Sequence, residues 1–165
     1  MFIKPKKSLG QNFLLDENII RKIIYASKIS SDDHVLEIGP GTGNLTKFII
    51  SQKPKKIYVV EKDKSLATEL ERQYFNKINV INKDILKITN EFYSGKKFLI
   101  LGNLPYNIST KILSNWCLNN KVNVSKMILM FQKEVADRIL ADVNSKDYSR
   151  ITILSKWKFD IRKIT

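Results

Sequence analysis

The sequence predicts an α/β fold, a mostly parallel sheet with helices on both faces. Short apolar runs alternate with amphipathic stretches, and most of these runs are apolar enough to be buried on both faces, as parallel strands are. The length of 165 residues and mass of 19.1 kDa suit one domain over residues 1–165. With 43% hydrophobic residues the chain can bury a core, which excludes a disordered protein.

The strands and helices follow from residue spacing. Apolar runs predict five strands, at residues 35–38, 56–60, 78–81, 98–101 and 126–131. Helical spacing predicts a first helix at 16–28 and four helices after the strands, at 44–51, 64–75, 109–119 and 133–143, with Asp63 and Ser109 as N-caps. Alternation of Ile151, Ile153 and Trp157 with polar residues predicts a sixth strand at 150–159, and we expect Trp116 and Trp157 to pack in the core.

The composition restricts the partners. Lys and Arg number 29 against 16 Asp and Glu, a net charge of +13, so we expect a polyanion, with an acidic membrane surface as the rival. As a group, Lys4, Lys6, Lys7, Lys133 and Arg138 are candidate phosphate contacts. The sequence shows no signal peptide or membrane-spanning run, and one Cys and one His form no metal-ligand pattern. We therefore expect a cytoplasmic protein with no metal and no membrane partner.

A glycine-rich turn follows the first predicted strand and opens a helix. It runs Glu37-Ile38-Gly39-Pro40-Gly41-Thr42-Gly43, and glycine lets the backbone approach a ligand closely. In the dinucleotide fingerprint G-x-G-x-x-G the third glycine stands one residue later, where this chain has Asn44. The spacing therefore argues against a dinucleotide, although such a turn also occurs in other α/β proteins.

Carboxylates end the next two predicted strands. Glu61 can accept hydrogen bonds from both hydroxyls of an adenosine ribose, Asp84 can accept from the adenine amino group, and Ile85 can lie against the ring. Carboxyl ends of successive parallel strands form the binding crevice of open sheets. Together with Gly39 and Gly41 these residues predict a site for S-adenosylmethionine.

The fourth predicted strand leads into Asn103-Leu104-Pro105-Tyr106, where a reaction can be specified. An adenine amino group is a poor nucleophile because its lone pair is delocalised. If the Asn103 side-chain oxygen and the Leu104 carbonyl each accept one N–H, the lone pair can turn toward a sulfonium methyl group. Pro105 would hold the turn and Tyr106 would stack on a flipped base. By itself the motif could also be a turn that ends a strand.

Four motifs, taken together, resemble the ribosomal RNA adenine dimethyltransferases. They are Lys7-Ser8-Leu9-Gly10-Gln11-Asn12-Phe13-Leu14, the glycine-rich turn, Asn103 through Ser109, and Gln132-Lys133-Glu134-Val135-Ala136-Asp137-Arg138. The resemblance covers residues from about Lys6 onward. It implies a Rossmann-like class I S-adenosylmethionine-dependent methyltransferase that dimethylates N6 of two adjacent adenosines near the 3′ end of 16S rRNA, acting as a monomer on the small ribosomal subunit.

The resemblance also assigns roles to residues. It implies that Asn12, Leu14, Gly39, Glu61 and Asp84 bind the cofactor and that Asn103 lies between cofactor and target. Large-subunit relatives typically have Ile at the position of Leu104, which places this chain with the small-subunit branch. The family continues with a Phe-x-Pro-x-Pro-Lys segment, a last strand and a small helical domain that this sequence lacks, so we expect a truncated chain.

Two alternatives remain open. One is an adenine methyltransferase that acts on large-subunit rRNA or DNA, which mapping of the modified base would separate. The other is an assembly factor that binds immature small subunits without turnover. Replacement of Glu61 by Ala distinguishes the second, because subunit maturation would continue without methylation.

Overall fold

The computed structural model describes residues 10–165 and contains a sheet of five parallel strands in the spatial order β3-β2-β1-β4-β5. The strands are β1 (His34–Ile38), β2 (Lys56–Val60), β3 (Asn79–Ile81), β4 (Phe98–Asn103) and β5 (Val124–Met130). All five predicted strands are confirmed, with ends that differ by at most two residues from the prediction. The chain reverses its direction of winding between β1 and β4.

Seven α-helices and one 3₁₀ turn lie in the described part of the chain. The helices are α1 (Glu17–Ser27), α2 (Asn44–Ser51), α3 (Lys64–Gln73), α4 (Asn90–Tyr93), α5 (Ser109–Leu118), α6 (Lys133–Leu140) and α7 (Arg150–Lys158), and the 3₁₀ turn is Ile85–Lys87. Asp63 caps α3 as predicted, since its carboxylate accepts from the Ser65 N–H at 2.9 Å. The predicted cap at Ser109 is wrong, because Ile108 holds the cap position and the Ser109 hydroxyl donates to the Tyr106 carbonyl.

The two faces of the sheet carry separate hydrophobic clusters. Val35 packs with Ile20 and Ile23 of α1 and with α2, whereas the next residue, Leu36, packs on the other face with Trp116 of α5. This alternation follows from the two-residue period of a strand. Helices on both faces are therefore confirmed, and burial of both faces explains why the central strands β1 and β4 are mostly apolar.

Helix α7 replaces the sixth strand predicted at residues 150–159. Its buried residues are Thr152 and Ser155, three positions apart as on one helix face, while Ile153 and Trp157 are exposed. The Thr152 hydroxyl donates to the Arg138 carbonyl of α6 at 2.5 Å. Small polar side chains satisfied in this way let α7 lie against α5 and α6. The predicted burial is confirmed for Trp116 and wrong for Trp157, which is 71% exposed.

Candidate active site

A crevice opens at the carboxyl ends of the strands, where the winding reverses between β1 and β4, and its space, including the part open to solvent, is about 740 Å³. A smaller pocket of about 300 Å³ adjoins it, and the two share Asn12, Phe13, Gly39, Gly41 and Asn103. Open α/β sheets bind their ligands at such a reversal. The fold therefore brings the predicted strand-end residues to one place.

The glycine-rich turn lines both pockets, through Gly39 and Gly41. Gly39 and Gly41 have φ values of +65° and +57°, in the left-handed region that favours glycine. A Cβ at Gly39 would lie 3.1 Å from the Asn103 carbonyl oxygen, and one at Gly41 would lie 2.8 Å from the Phe13 ring. Glycine at both positions keeps the turn close to its neighbours and leaves the crevice open.

Glu61 lies at the end of β2 and is buried in the crevice wall. Its carboxylate accepts from the backbone N–H of Asp63 at 2.8 Å and of Gly41 at 3.4 Å. Burial raises the pKa of Glu61, and these two N–H groups act in the opposite direction. The backbone N–H of Lys62 also lowers this pKa. A carboxylate has about four acceptor positions, so acceptor capacity remains for a ligand.

Asp84 and Ile85 follow β3 and line the same crevice. One oxygen of Asp84 accepts from the Leu86 N–H at 3.0 Å, and the other lies 3.1 Å from the ammonium group of Lys62. Partial burial would raise the pKa of Asp84, but the Leu86 N–H and Lys62 outweigh it and the pKa is lowered. Asp84 is therefore ionised at neutral pH.

The end of β4 supplies Asn103 and Pro105 to the crevice, whereas the Leu104 side chain is buried in the core. The Asn103 side-chain amide donates to the Asn12 carbonyl. Since that carbonyl can only accept, the amide N–H₂ must face it, and the Asn103 side-chain oxygen is left as an acceptor. The Tyr106 hydroxyl accepts from the Asn12 side-chain amide at 2.7 Å.

The segment from Gly10 to Leu14 covers one side of the site. Leu14 lines the smaller pocket, and its carbonyl accepts from the Asn44 side chain at 2.9 Å. Asn44 stands where the dinucleotide fingerprint has its third glycine, so it ties the covering segment to the start of α2. The structure thus brings together all the predicted cofactor residues, from Asn12 to Asn103.

Several residues at the site were not assigned a role from the sequence. Phe13 packs on Gly41, and Lys62 pairs with Asp84. Glu37 is fully buried beside the smaller pocket, and burial raises its pKa to about 8 although the Thr46 hydroxyl, at 2.7 Å, lowers it. Of these residues only Lys62 could have been found from the sequence, because it directly follows Glu61. Packing against a glycine cannot be predicted from residue spacing.

The predicted phosphate contacts divide into two groups. Lys4, Lys6 and Lys7 lie outside the described residues. Lys133 and Arg138 are on α6, where Lys133 is exposed and pairs with Asp137 at 2.8 Å. Across residues 10–165, no helix is long and apolar enough to cross a membrane.

The reversed parallel sheet, the glycine-rich turn and the carboxylates after β2 and β3 define the fold of a class I S-adenosylmethionine-dependent methyltransferase. The family described as "Ribosomal RNA adenine dimethylase" matches residues 3–165. The chain belongs to this family.

Curated relatives carry the name "Ribosomal RNA small subunit methyltransferase A". The protein of Pelagibacter ubique is 52% identical over 99% of this chain, and that of Malacoplasma penetrans is 44% identical over 99%. The matched regions cover 63% and 61% of those two proteins. The chain therefore spans somewhat less than two thirds of the length of these relatives.

Solved structures agree with the family. A dimethyladenosine transferase from Plasmodium falciparum is 35% identical, with a TM-score of 0.78 over 88% of this chain and 52% of that one. The 23S rRNA methyltransferase ErmE is 29% identical, with a TM-score of 0.69 over 86% of this chain and 56% of that one. Both proteins are RNA or adenosine methyltransferases by name, which is consistent with the site described above.

Proposed function

We propose that this chain transfers methyl groups from S-adenosylmethionine to N6 of adenine in ribosomal RNA. The observation that carries the proposal is Asn103, whose side-chain oxygen is left as an acceptor at the edge of the crevice by the bond from its amide to Asn12. The names of the relatives support two transfers per base and small-subunit rRNA as the substrate. We further propose, from the resemblance, that the targets are two adjacent adenosines near the 3′ end of 16S rRNA.

The residues of the crevice fit the methyl donor. Glu61 has acceptor positions for the two ribose hydroxyls, and the ionised Asp84 can accept from the adenine amino group beside Ile85. The adjoining pocket, lined by Leu14 and the glycine-rich turn, suits the methionine part. When bound, S-adenosylmethionine supplies an electrophilic methyl group on a sulfonium. We propose Asn12, Leu14, Gly39, Gly41, Glu61, Asp84, Ile85 and Asn103 as its binding residues.

The chain's own contribution to the reaction is to orient the target amine. In the first transfer the Asn103 side-chain oxygen and the Leu104 carbonyl each accept one N–H of adenine N6, which turns the nitrogen lone pair toward the methyl carbon. In the second transfer the one remaining N–H bonds to one of these two acceptors. Adenine N6 forms the new N–C bond as the S–C bond breaks, and the N6 proton then leaves to water. No side chain has to remove a proton before the attack.

Pro105 and Tyr106 hold the target base in this mechanism. Pro105 fixes the turn after Asn103, and the Tyr106 ring stacks on the flipped adenine, a contact worth about 1–3 kcal/mol. The Tyr106 hydroxyl already bonds to Asn12, which keeps the ring next to the cofactor crevice. We propose Asn103, Leu104, Pro105 and Tyr106 as the catalytic residues of one methyltransferase domain that acts as a monomer in the cytoplasm.

The proposal is tested by locating the modified bases. Under-methylated small and large ribosomal subunits are each incubated with the chain and S-adenosylmethionine, and reverse transcription then maps the blocked positions. Two adjacent stops near the 3′ end of 16S rRNA would support the proposed substrate. Stops in large-subunit rRNA alone would contradict it.

A further inference from the structure

A second groove lies at the opposite end of the sheet from the active-site crevice. It opens at the amino ends of β2 and β3, and its space, including the part open to solvent, is about 1190 Å³. Since β2 has five residues and a strand rises about 3.3 Å per residue, the groove lies on the order of 16 Å from the crevice. Its lining includes Lys53, Lys55, Lys56 and Lys77, and we call it the lysine groove.

These four lysines are exposed and have no ion-pair partner within residues 10–165. Glu71 is the acidic residue of the lining. The positive charge also acts at the start of β1. Burial is the largest cause that lowers the pKa of His34, Lys55 and Lys56 lower it further, and Asp33 raises it. Unpaired like charges held close together repel one another, and a polyanion would relieve that repulsion.

An aromatic ring stands beside the lysines. Phe75 is 73% exposed, and it lies in a tight turn closed by the bond from the Lys77 N–H to the Tyr74 carbonyl at 2.9 Å. Asn76 in that turn has a φ of +59°, a conformation that Asn tolerates better than most residues. The turn therefore presents the Phe75 ring to solvent on an ordered backbone.

We propose that the lysine groove is a second RNA-binding site, separate from the active-site crevice. The lysines contact phosphates and Phe75 stacks on an unpaired base, the combination with which proteins bind single-stranded nucleic acid. A membrane-binding surface inserts an exposed apolar face into the lipid, whereas the isoleucines of this groove are buried or half-buried and Phe75 is its exposed large apolar side chain. The inference rests on the proposed function in one respect only, which is that the partner is an RNA.

The test uses a fluorescent oligouridylate of about twelve nucleotides, a length within the range of single-strand sites. Uridine has no N6 amine, so this probe measures the groove independently of the target base. The variants are Lys55→Glu with Lys77→Glu, Phe75→Ala, and a matched control, Lys22→Glu with Lys146→Glu, which makes the same charge change at exposed positions outside the groove. Affinity is measured over a series of salt concentrations.

The two groove variants have different expected signatures. Loss of two phosphate contacts lowers the slope of log affinity against log salt by about 1.4, because each single-strand contact contributes about 0.7. Phe75→Ala weakens binding about fivefold to a hundredfold with the slope unchanged, since no charge is removed. The control variant keeps the wild-type slope.

Three results would overturn the inference. One is a groove variant with the wild-type slope and affinity, and another is a control that weakens binding as much as the groove variant does. The third concerns a second probe, vesicles that contain anionic lipid. If a groove variant lost binding to these vesicles but kept wild-type RNA binding, the groove would be a membrane-binding surface. Failure of methyl transfer with the groove signatures intact would count against the proposed function alone.

Discussion

The Asn103 side-chain amide donates to the backbone carbonyl of Asn12, a residue 91 positions earlier in the chain. Asn103 ends β4 beside the crevice, and Asn12 belongs to the segment that covers it. This hydrogen bond joins the covering segment to the end of β4. It also orients the Asn103 side chain so that its oxygen is free to accept a hydrogen bond. The proposed methyl transfer depends on that orientation.

Replacement of Asn103 by Asp tests the orientation. Aspartate has no N–H to donate, so it cannot make the bond to the Asn12 carbonyl, and it would set a carboxylate against that oxygen. The side-chain oxygen that accepts from adenine N6 would then no longer be held in place, and loss of one positioned hydrogen bond at a reacting group typically costs about 100-fold to 1000-fold in kcat. We expect a loss of that size in methyl transfer to small subunits, measured with a radiolabelled methyl donor.

The control for this variant is Asn115→Asp, on α5 and outside the crevice lining. It makes the same chemical change and should keep wild-type kcat. Full activity of Asn103→Asp would contradict the assigned role of the amide.

Glu61 is expected to determine cofactor affinity. Glu61→Gln removes the charge that would accept from the ribose hydroxyls, and hydrogen bonds to charged groups are worth about 1.5–3 kcal/mol each. We therefore expect affinity for S-adenosylmethionine, measured by calorimetry, to fall at least about tenfold. The exposed Glu71→Gln, which lines the lysine groove, is the matched control and should bind as wild type. Equal affinity for Glu61→Gln and the wild type would remove Glu61 from the site.

Two substitutions at Tyr106 separate its ring from its hydroxyl. Tyr106→Phe loses the bond to Asn12 but keeps the stacking surface, so we expect methyl transfer within about tenfold of the wild type. Tyr106→Ala also loses the ring and should raise the KM for subunits by about fivefold to a hundredfold. Steady-state kinetics at varied subunit concentration measure both. If Tyr106→Phe were as impaired as Tyr106→Ala, stacking would not be the role of the ring.

Glu37 makes the stability of the fold depend on pH. Its pKa is about 8 in the folded protein against 4.5 for an unperturbed glutamate, because the side chain is fully buried. Between those pH values the folded chain holds a proton at Glu37 that the unfolded chain has lost, so stability falls as the pH rises. The slope from this group is at most about 1.4 kcal/mol per pH unit, and it vanishes above pH 8.

Urea denaturation at pH 5, 6.5 and 8 measures this dependence. Burial also raises the pKa of Glu61, which adds a fall of the same sign. Glu37→Gln stays neutral at every pH, so we expect a flatter profile for that variant than for the wild type. An identical profile for the two proteins would show that Glu37 is already ionised in the fold.

Much of the fold could be predicted because the central strands β1 and β4 are buried on both faces, and each of the five strands contains an apolar run. The failure at α7 has the opposite cause: its fully buried residues, Thr152 and Ser155, are polar, whereas its apolar Ile153 and Trp157 face solvent. Such a helix resembles a half-buried strand in any pattern based on hydrophobicity. Its N-terminal capping box, formed by Ser149 and Thr152, was the local signal that could have corrected the prediction.

The candidate site could be predicted where chemistry and strand ends coincide, as for Glu61 and Asp84. The contacts that depend on residues distant in sequence could not. The bond between Asn12 and Asn103 and the packing of Phe13 on Gly41 both need the fold to bring the covering segment onto the turn. Glu37 was hidden for a similar reason, since nothing in its spacing indicates that it is fully buried.

The central claim, methyl transfer to N6 of adenine in small-subunit rRNA, is tested most directly by mass spectrometry of nucleosides. Under-methylated small subunits are incubated with the chain and S-adenosylmethionine, and their RNA is digested to nucleosides. The account predicts N6,N6-dimethyladenosine, formed about 100-fold to 1000-fold more slowly when Asn103→Asp replaces the wild type. Methylation on another base, or on another atom of adenine, would contradict it.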